Sequence, residues 1–140
     1  MITRQDIEDM GYEYYTPKTA EKAKVFCMNP MDMVKEFAKV TGQEPKQSLY
    51  ATLIAEEYGE WFDARQSIAH AHELKELSDL AYVIFGYANA KGWDLMEAVR
   101  RVHVNNLGRC VQEDGSVQRR EDGKIIKNPD YPKVDLNDLV

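Results

Sequence analysis

The sequence predicts an all-α protein: an antiparallel helical bundle with a small C-terminal β-hairpin and a polar tail. Three observations carry that prediction. Apolar side chains recur at helical spacing in four blocks between residues 30 and 108. Cap and stop residues bound the blocks, and the connections between them are short, which favours antiparallel neighbours. At 140 residues the chain has the size of one domain with a substantial core.

Residues 1–29 are irregular, with Tyr12, Tyr14, Tyr15 and Pro17 breaking any helical period, although "KTAEKAKVF" has room for a turn or two of helix. They read as an N-terminal extension packed on the body. The first helix follows in "NPMDMVKEFAKVTG", with Asn29 as cap, Pro30 at the first helical position and Gly42 as stop. The second covers residues 48 to about 68, with Leu49, Leu53, Ala64 and Ile68 as its apolar stripe. The third runs from 72 to 91 and is closed by Gly92, and the fourth opens on Asp94 and Glu97, spaced as a capping box, and ends at Gly108. Residues 30–109 are thus the helical core. Beyond it, "QEDGSVQRREDGKIIKNPDYPKVDL" sets short Val- and Ile-containing runs around two Asp-Gly turns, so residues 110–140 read as a hairpin and tail completing the same domain.

Composition narrows the function. A formal net charge of −6 argues against a nucleic-acid backbone as partner, because neutralising phosphates takes a basic face. Cys27 and Cys110 are isolated thiols without a zinc-ribbon or disulfide-scaffold pattern. The start lacks a leader-like apolar region and the longest apolar stretch, near "LAYVIFGYANA", is too short to span a bilayer. These features predict a soluble, cytoplasmic protein.

The informative residues are acidic. In "EEYGE", Glu57 and Glu60 fall within the apolar stripe of the second helix, with Glu56 at its margin, and in "ELSD", Glu76 and Asp79 share a face with Val83, Gly86, Tyr87 and Ala90. One such pair alone is ordinarily a solvated face; two inward pairs on adjacent helices are harder to explain that way. At separations of roughly 6 Å and an effective dielectric near 20, each like-charged pair costs on the order of 3 kcal/mol, against a domain stability of roughly 5–15 kcal/mol. A cation must offset that, and an all-carboxylate donor set suits Mg²⁺ or Mn²⁺. Di-iron and zinc-protease readings fail on spelling: no glutamate stands three residues before His70, His72 or His103, and "HELKE" ends in Glu76 where a second histidine is required.

The pattern E-E-x-x-E, then E-x-x-D after fifteen residues, resembles the all-α nucleoside triphosphate pyrophosphohydrolases of the MazG type, related to dimeric dUTPases and to phosphoribosyl-ATP pyrophosphohydrolase. The likeness runs from about residue 31 to 138, through "DLAYVIFGYANAKGWDL" and "VHVNNLGR" into "REDGKIIKNPDY", and is similar to the tail of small phage and bacterial members. It implies a homodimer or homotetramer that hydrolyses a (deoxy)nucleoside triphosphate to the monophosphate and pyrophosphate with Mg²⁺, in the host cytoplasm if phage-encoded. By position it makes Glu57, Glu60, Glu76 and Asp79 the metal-binding carboxylates, and Glu56 the first glutamate of the motif, suited to orient or deprotonate water. Asn106 and Lys127 match positions near substrate phosphate, and Arg109 stands where many relatives have lysine, a planar fork in place of a point charge. Lys124 is a further candidate over the phosphates, and Phe37 and Trp61 are candidates for stacking on the base. Two alternatives stand beside this: a non-catalytic helical interaction module, and a hydrolase of an alarmone such as ppGpp. The histidines read as structural or solvent-facing.

Overall fold

The computed structural model describes residues 28–140, so nearly all of the predicted N-terminal extension, with its short helical stretch and Cys27, lies outside the described residues. Four α-helices follow one another: α1 (Pro30–Thr41), α2 (Gln47–Ala64), α3 (His70–Lys91) and α4 (Leu95–Cys110), with a 3-10 turn at Asn137–Leu139 near the end. None of these helices is long and apolar enough to cross a membrane.

Local chemistry sets the helix ends. The Asn29 side chain accepts a hydrogen bond from the Asp32 amide at 3.1 Å, Pro30 takes the first helical position where no intrahelical N–H is needed, and Gly42 ends α1 with φ +69°. Gly92 ends α3 in the same left-handed conformation. Asp94 caps α4 by accepting from the Glu97 amide at 2.9 Å; the Glu97 carboxylate does not close a box but pairs with Arg100 and Arg101.

Two boundaries differ from the sequence prediction. α2 stops at Ala64 because Gln66 and Ser67 donate to carbonyls three residues back, tightening the chain into a turn, and the Ser67 hydroxyl then accepts from the Ala69 amide. Ile68 therefore lies outside the helix and is 97% exposed. α4 continues two residues past Gly108, whose missing side chain serves packing: a Cβ there would overlap the ring of Tyr131.

The body of the structure is α2 antiparallel to α3, with α1 laid against α3. Val34, Tyr50 and Val83, one from each helix, form the buried core cluster, with Leu53, Ile54 and Leu80 packed on it. Tyr50 and Ile54 thus belong to the inner face of α2, while Leu49, assigned to that face by periodicity, is exposed. α3 packs against α2 at Gly86, where a Cβ would run into the Tyr50 ring. Asn89 ties α3 to α1 by donating to the Met31 carbonyl at 2.9 Å, and Phe37 stands edge-on to Tyr82 with ring centroids 6.0 Å apart.

α4 engages the C-terminal tail. The Arg101 guanidinium grips Asp138 with contacts of 2.6 and 2.8 Å, which holds the Asp138 carboxyl below the usual carboxylate range, and Asn105 donates to the Pro132 carbonyl at 2.8 Å. The predicted β-hairpin does not form a ladder. Two isolated antiparallel bridges, Val111 with Val117 and Arg119 with Ile125, flank turns at Gly115 and Gly123, whose φ values are +80° and +82°. The Asp-Gly turns form as expected, but every residue from 111 to 131 is exposed, so the short runs have no apolar face to bury, and two-stranded pairing without one is marginal in water.

The close approach at Gly86 makes a paired test. Gly86→Ala forces the Tyr50 ring out of its place and should lower stability by about 1–3 kcal/mol in urea denaturation. Gly59→Ala, in the middle of α2 where a Cβ meets nothing within 4 Å, should raise it by about 0.5–1 kcal/mol.

Candidate metal centre

The contact between Tyr50 and Gly86 fixes which residues of α2 and α3 face each other farther along. Moving seven residues on from Tyr50 reaches Glu57, and moving seven back from Gly86 reaches Asp79; two helical turns, about 10.5 Å, separate the aromatic contact from the acidic one. Glu76, one turn beyond Asp79, completes the group. Glu57, Glu76 and Asp79 each offer a carboxylate oxygen, and the three oxygens lie within 4.8 Å of one another.

Their surroundings differ. Glu76 is buried, its residue only 4% exposed, while Glu57 and Asp79 are half-buried. The Glu57 Oε2 atom is sealed from solvent and has no hydrogen-bond partner. Burial raises the Glu57 pKa above the ordinary glutamate value; the charges of Glu60, Asp79 and Glu76 add to that rise, and Lys75 works against it. The Lys75 ammonium lies 2.7 Å from Asp79 Oδ2 and 3.2 and 3.3 Å from the two Glu76 oxygens. Hydrogen bonds to Asp79 and then to Glu76 hold it in the charged form. His72 Nδ1 lies 3.2 Å from Glu76 Oε1.

An oxygen-only donor set with one sealed, unpartnered carboxylate oxygen fits a hard divalent cation. The sequence prediction named four acids, these three and Glu60, and missed contacts made by two neighbours. Lys75 is absent from the sequence expectation, and His72, expected to be structural or solvent-facing, is half exposed and pairs with Glu76; each stands four residues before a carboxylate it touches, Lys75 before Asp79 and His72 before Glu76. That spacing places side chains together on one helix face.

The other predicted site residues fall in separate places. Glu60, which periodicity puts in the inward stripe as a fourth metal carboxylate, is instead exposed and outside the three-acid group, and it reaches the cluster through its charge on Glu57; Glu56 is exposed as well. Trp61 is half-buried beside Tyr58, with the Arg65 guanidinium 5.3 Å above its ring and 4.1 Å above that of Phe62. Phe37 lies on α1, against Tyr82. At the end of α4, Asn106 Oδ1 accepts from the Lys127 ammonium at 3.2 Å, and Arg109 and Lys127 line a cavity of about 660 Å³. Arg109 Nε is sealed there without a partner. Lys124 sits in the second Asp-Gly turn and does not line that cavity. Among the described residues no ion pair joins Arg109, Lys124 or Lys127 to the three acids.

The strain on Glu57 sets a pH dependence. Its folded pKa lies above its unfolded value, so the folded chain binds this proton more tightly and ionised Glu57 opposes folding; the penalty appears as pH rises through the carboxylate range. Without divalent cation, Glu57→Gln should therefore melt above the wild type at pH 7. The difference should vanish below about pH 4, where Glu57 is protonated in both states. Thermal denaturation at the two pH values in EDTA measures it.

The sequence profile of the phosphoribosyl-ATP pyrophosphohydrolase family matches residues 32–106, more than half of the chain, and spans all three clustered acids. Among curated proteins no match was found. With both acid-bearing helices inside the matched segment, the chain belongs to the phosphoribosyl-ATP pyrophosphohydrolase family, a family akin to the MazG-like all-α pyrophosphohydrolases.

Proposed function

We propose that the protein hydrolyses a (deoxy)nucleoside triphosphate to the monophosphate and pyrophosphate, with Mg²⁺ held by Glu57, Glu76 and Asp79, Mn²⁺ being able to replace it. The observation that carries this reading is the cluster of three carboxylate oxygens within 4.8 Å, one of its acids left with a sealed and unpartnered oxygen. Family membership supports hydrolysis at a diphosphate linkage of a nucleotide. A divalent cation bound there supplies charge neutralisation for the phosphates and makes water a stronger nucleophile near neutral pH.

The chain's own residues supply the rest. Glu57, Glu76 and Asp79 fix the cation's place, and Glu60 adds negative charge beside Glu57. Glu56, one residue away and exposed, is free to orient the water and take its proton. Hydrolysis forms a bond from the water oxygen to phosphorus and breaks the bridging P–O bond, with pyrophosphate as the leaving group. Trp61 is the proposed base-stacking residue on α2, and Phe37 its counterpart on α1. Asn106, Lys127 and Arg109 are proposed to hold phosphate, with Lys124 nearby in the tail.

A second copy of the chain belongs to this proposal. Tyr58 is 51% exposed, Phe62 43%, Leu77 44% and Ile84 39%, an amount of large apolar surface on two packed helices that suits a homodimer or homotetramer. Such an assembly would also give the basic end of one chain a route to the acids of another. The proposed setting is the cytoplasm.

Two measurements test the proposal. Pyrophosphate release should be seen with Mg²⁺ for at least one member of a panel of NTPs, dNTPs, phosphoribosyl-ATP and ppGpp, and should fall about a hundredfold or more in Glu57→Gln and Asp79→Asn. Release no greater than in those variants for every substrate would contradict catalysis, and release from ppGpp alone would move the substrate to the alarmone. Light scattering over a dilution series should give a particle of at least twice the 16.1 kDa chain mass; an active, folded particle of one chain mass would contradict the assembly.

A further inference from the structure

The acidic cluster already contains a cation. The Lys75 ammonium lies between Glu76 and Asp79, 2.7 Å from Asp79 Oδ2 and within 3.3 Å of both Glu76 oxygens, in the space between two of the three acids that converge. Among the described residues it is the one lysine or arginine ion-paired to these acids. Its side chain is 62% exposed, so it reaches into the cluster from the solvent side along a flexible stem rather than being locked there by packing.

From this we propose that Lys75 is a displaceable placeholder: its ammonium neutralises the carboxylates while no divalent cation is bound, gives up those oxygens when one arrives, and is then left at the rim of the site to meet the anionic phosphates of the substrate. The inference rests on the proposed metal site and adds a regulatory and substrate-positioning residue to it. Three features support the exchange. The ammonium holds both Glu76 oxygens and Oδ2 of Asp79, and a metal ion would draw on the same two carboxylates, so the two cations compete by mass action. Glu57 Oε2 has no partner in the lysine-bound arrangement, so an ammonium satisfies two acids where a metal ion with several oxygen ligands satisfies three. The pairing is also local, from one residue and four residues away on the same helix, so releasing it requires only rotation of the Lys75 side chain and no movement of α2 or α3.

The test is Mn²⁺ binding, read by the loss of the free-ion signal in electron paramagnetic resonance, for the wild type, Lys75→Met and Lys91→Met. Lys91→Met removes the same charge from the far end of α3, where the ammonium lies over Trp93. Lys75→Met should bind Mn²⁺ roughly two- to fivefold more tightly, the scale of an exposed ion pair no longer competing, and should melt lower than the wild type in EDTA. Unchanged or weaker Mn²⁺ binding in Lys75→Met would overturn the proposal, as would an equal gain in Lys91→Met, which would reduce the effect to net charge. With a turned-over substrate at saturating Mg²⁺, Lys75→Met should raise KM severalfold and leave kcat near the wild-type value; an unchanged KM would overturn the transfer to substrate. Because Mn²⁺ affinity is read without turnover, a failure of the hydrolase reading leaves the displacement test intact, and a failure of displacement leaves pyrophosphate release untouched.

Discussion

Like charge held within a helix–helix contact is the constraint on which the arrangement depends. Glu57, Glu76 and Asp79 are brought within 4.8 Å by α2 and α3, and nothing in apolar packing rewards that outcome. The contact has to be held by residues elsewhere on the same two helices. Two turns away, Gly86 lets the Tyr50 ring lie directly on α3, and Val34 and Val83 close the core around it. Seven-residue steps from that anchor carry the register to the acids. The apolar end thus supplies the stability and the register, and the acidic end uses both.

The same division explains the charges around the site. Ionised Glu57 is opposed by burial and by three neighbouring carboxylates, while Lys75 and His72 reach the cluster from within α3 and leave Glu57 Oε2 unpartnered. A buried acid lacking one of its hydrogen bonds is costly in an empty site and useful in one that receives a cation. The tail follows a different logic. Arg101, Asn105 and Gly108 bind it to α4 through an ion pair, an amide contact and a ring seated on a glycine, which positions Lys127 against Asn106.

Much of this was legible in the sequence, for identifiable reasons. Asn29, Pro30, Gly42, Gly92 and Asp94 act through their own backbone or nearest neighbours, so their roles can be read without knowing the fold. The convergence of Glu57, Glu76 and Asp79 was readable because their spacing is helical and the connection between α2 and α3 is short. Periodicity misled where it continued by chance past a helix end, at Ile68, and where it could not say which apolar face is covered, at Leu49. The hairpin failed because Asp-Gly turns specify a reversal but not a ladder. Matching acids only with acids passes over Lys75 and the contact of His72 with Glu76, although the four-residue spacing that joins each to its partner is in plain view.

The central claim is that these three acids together form one divalent-cation site. Calorimetric titration of Mg²⁺ into the wild type and into a Glu57→Gln/Glu76→Gln/Asp79→Asn variant, with folding of both checked by circular dichroism, tests it most directly. Saturable binding in the wild type and none in the folded variant is the predicted result. Equal binding by the two proteins, or none by the wild type, would contradict it.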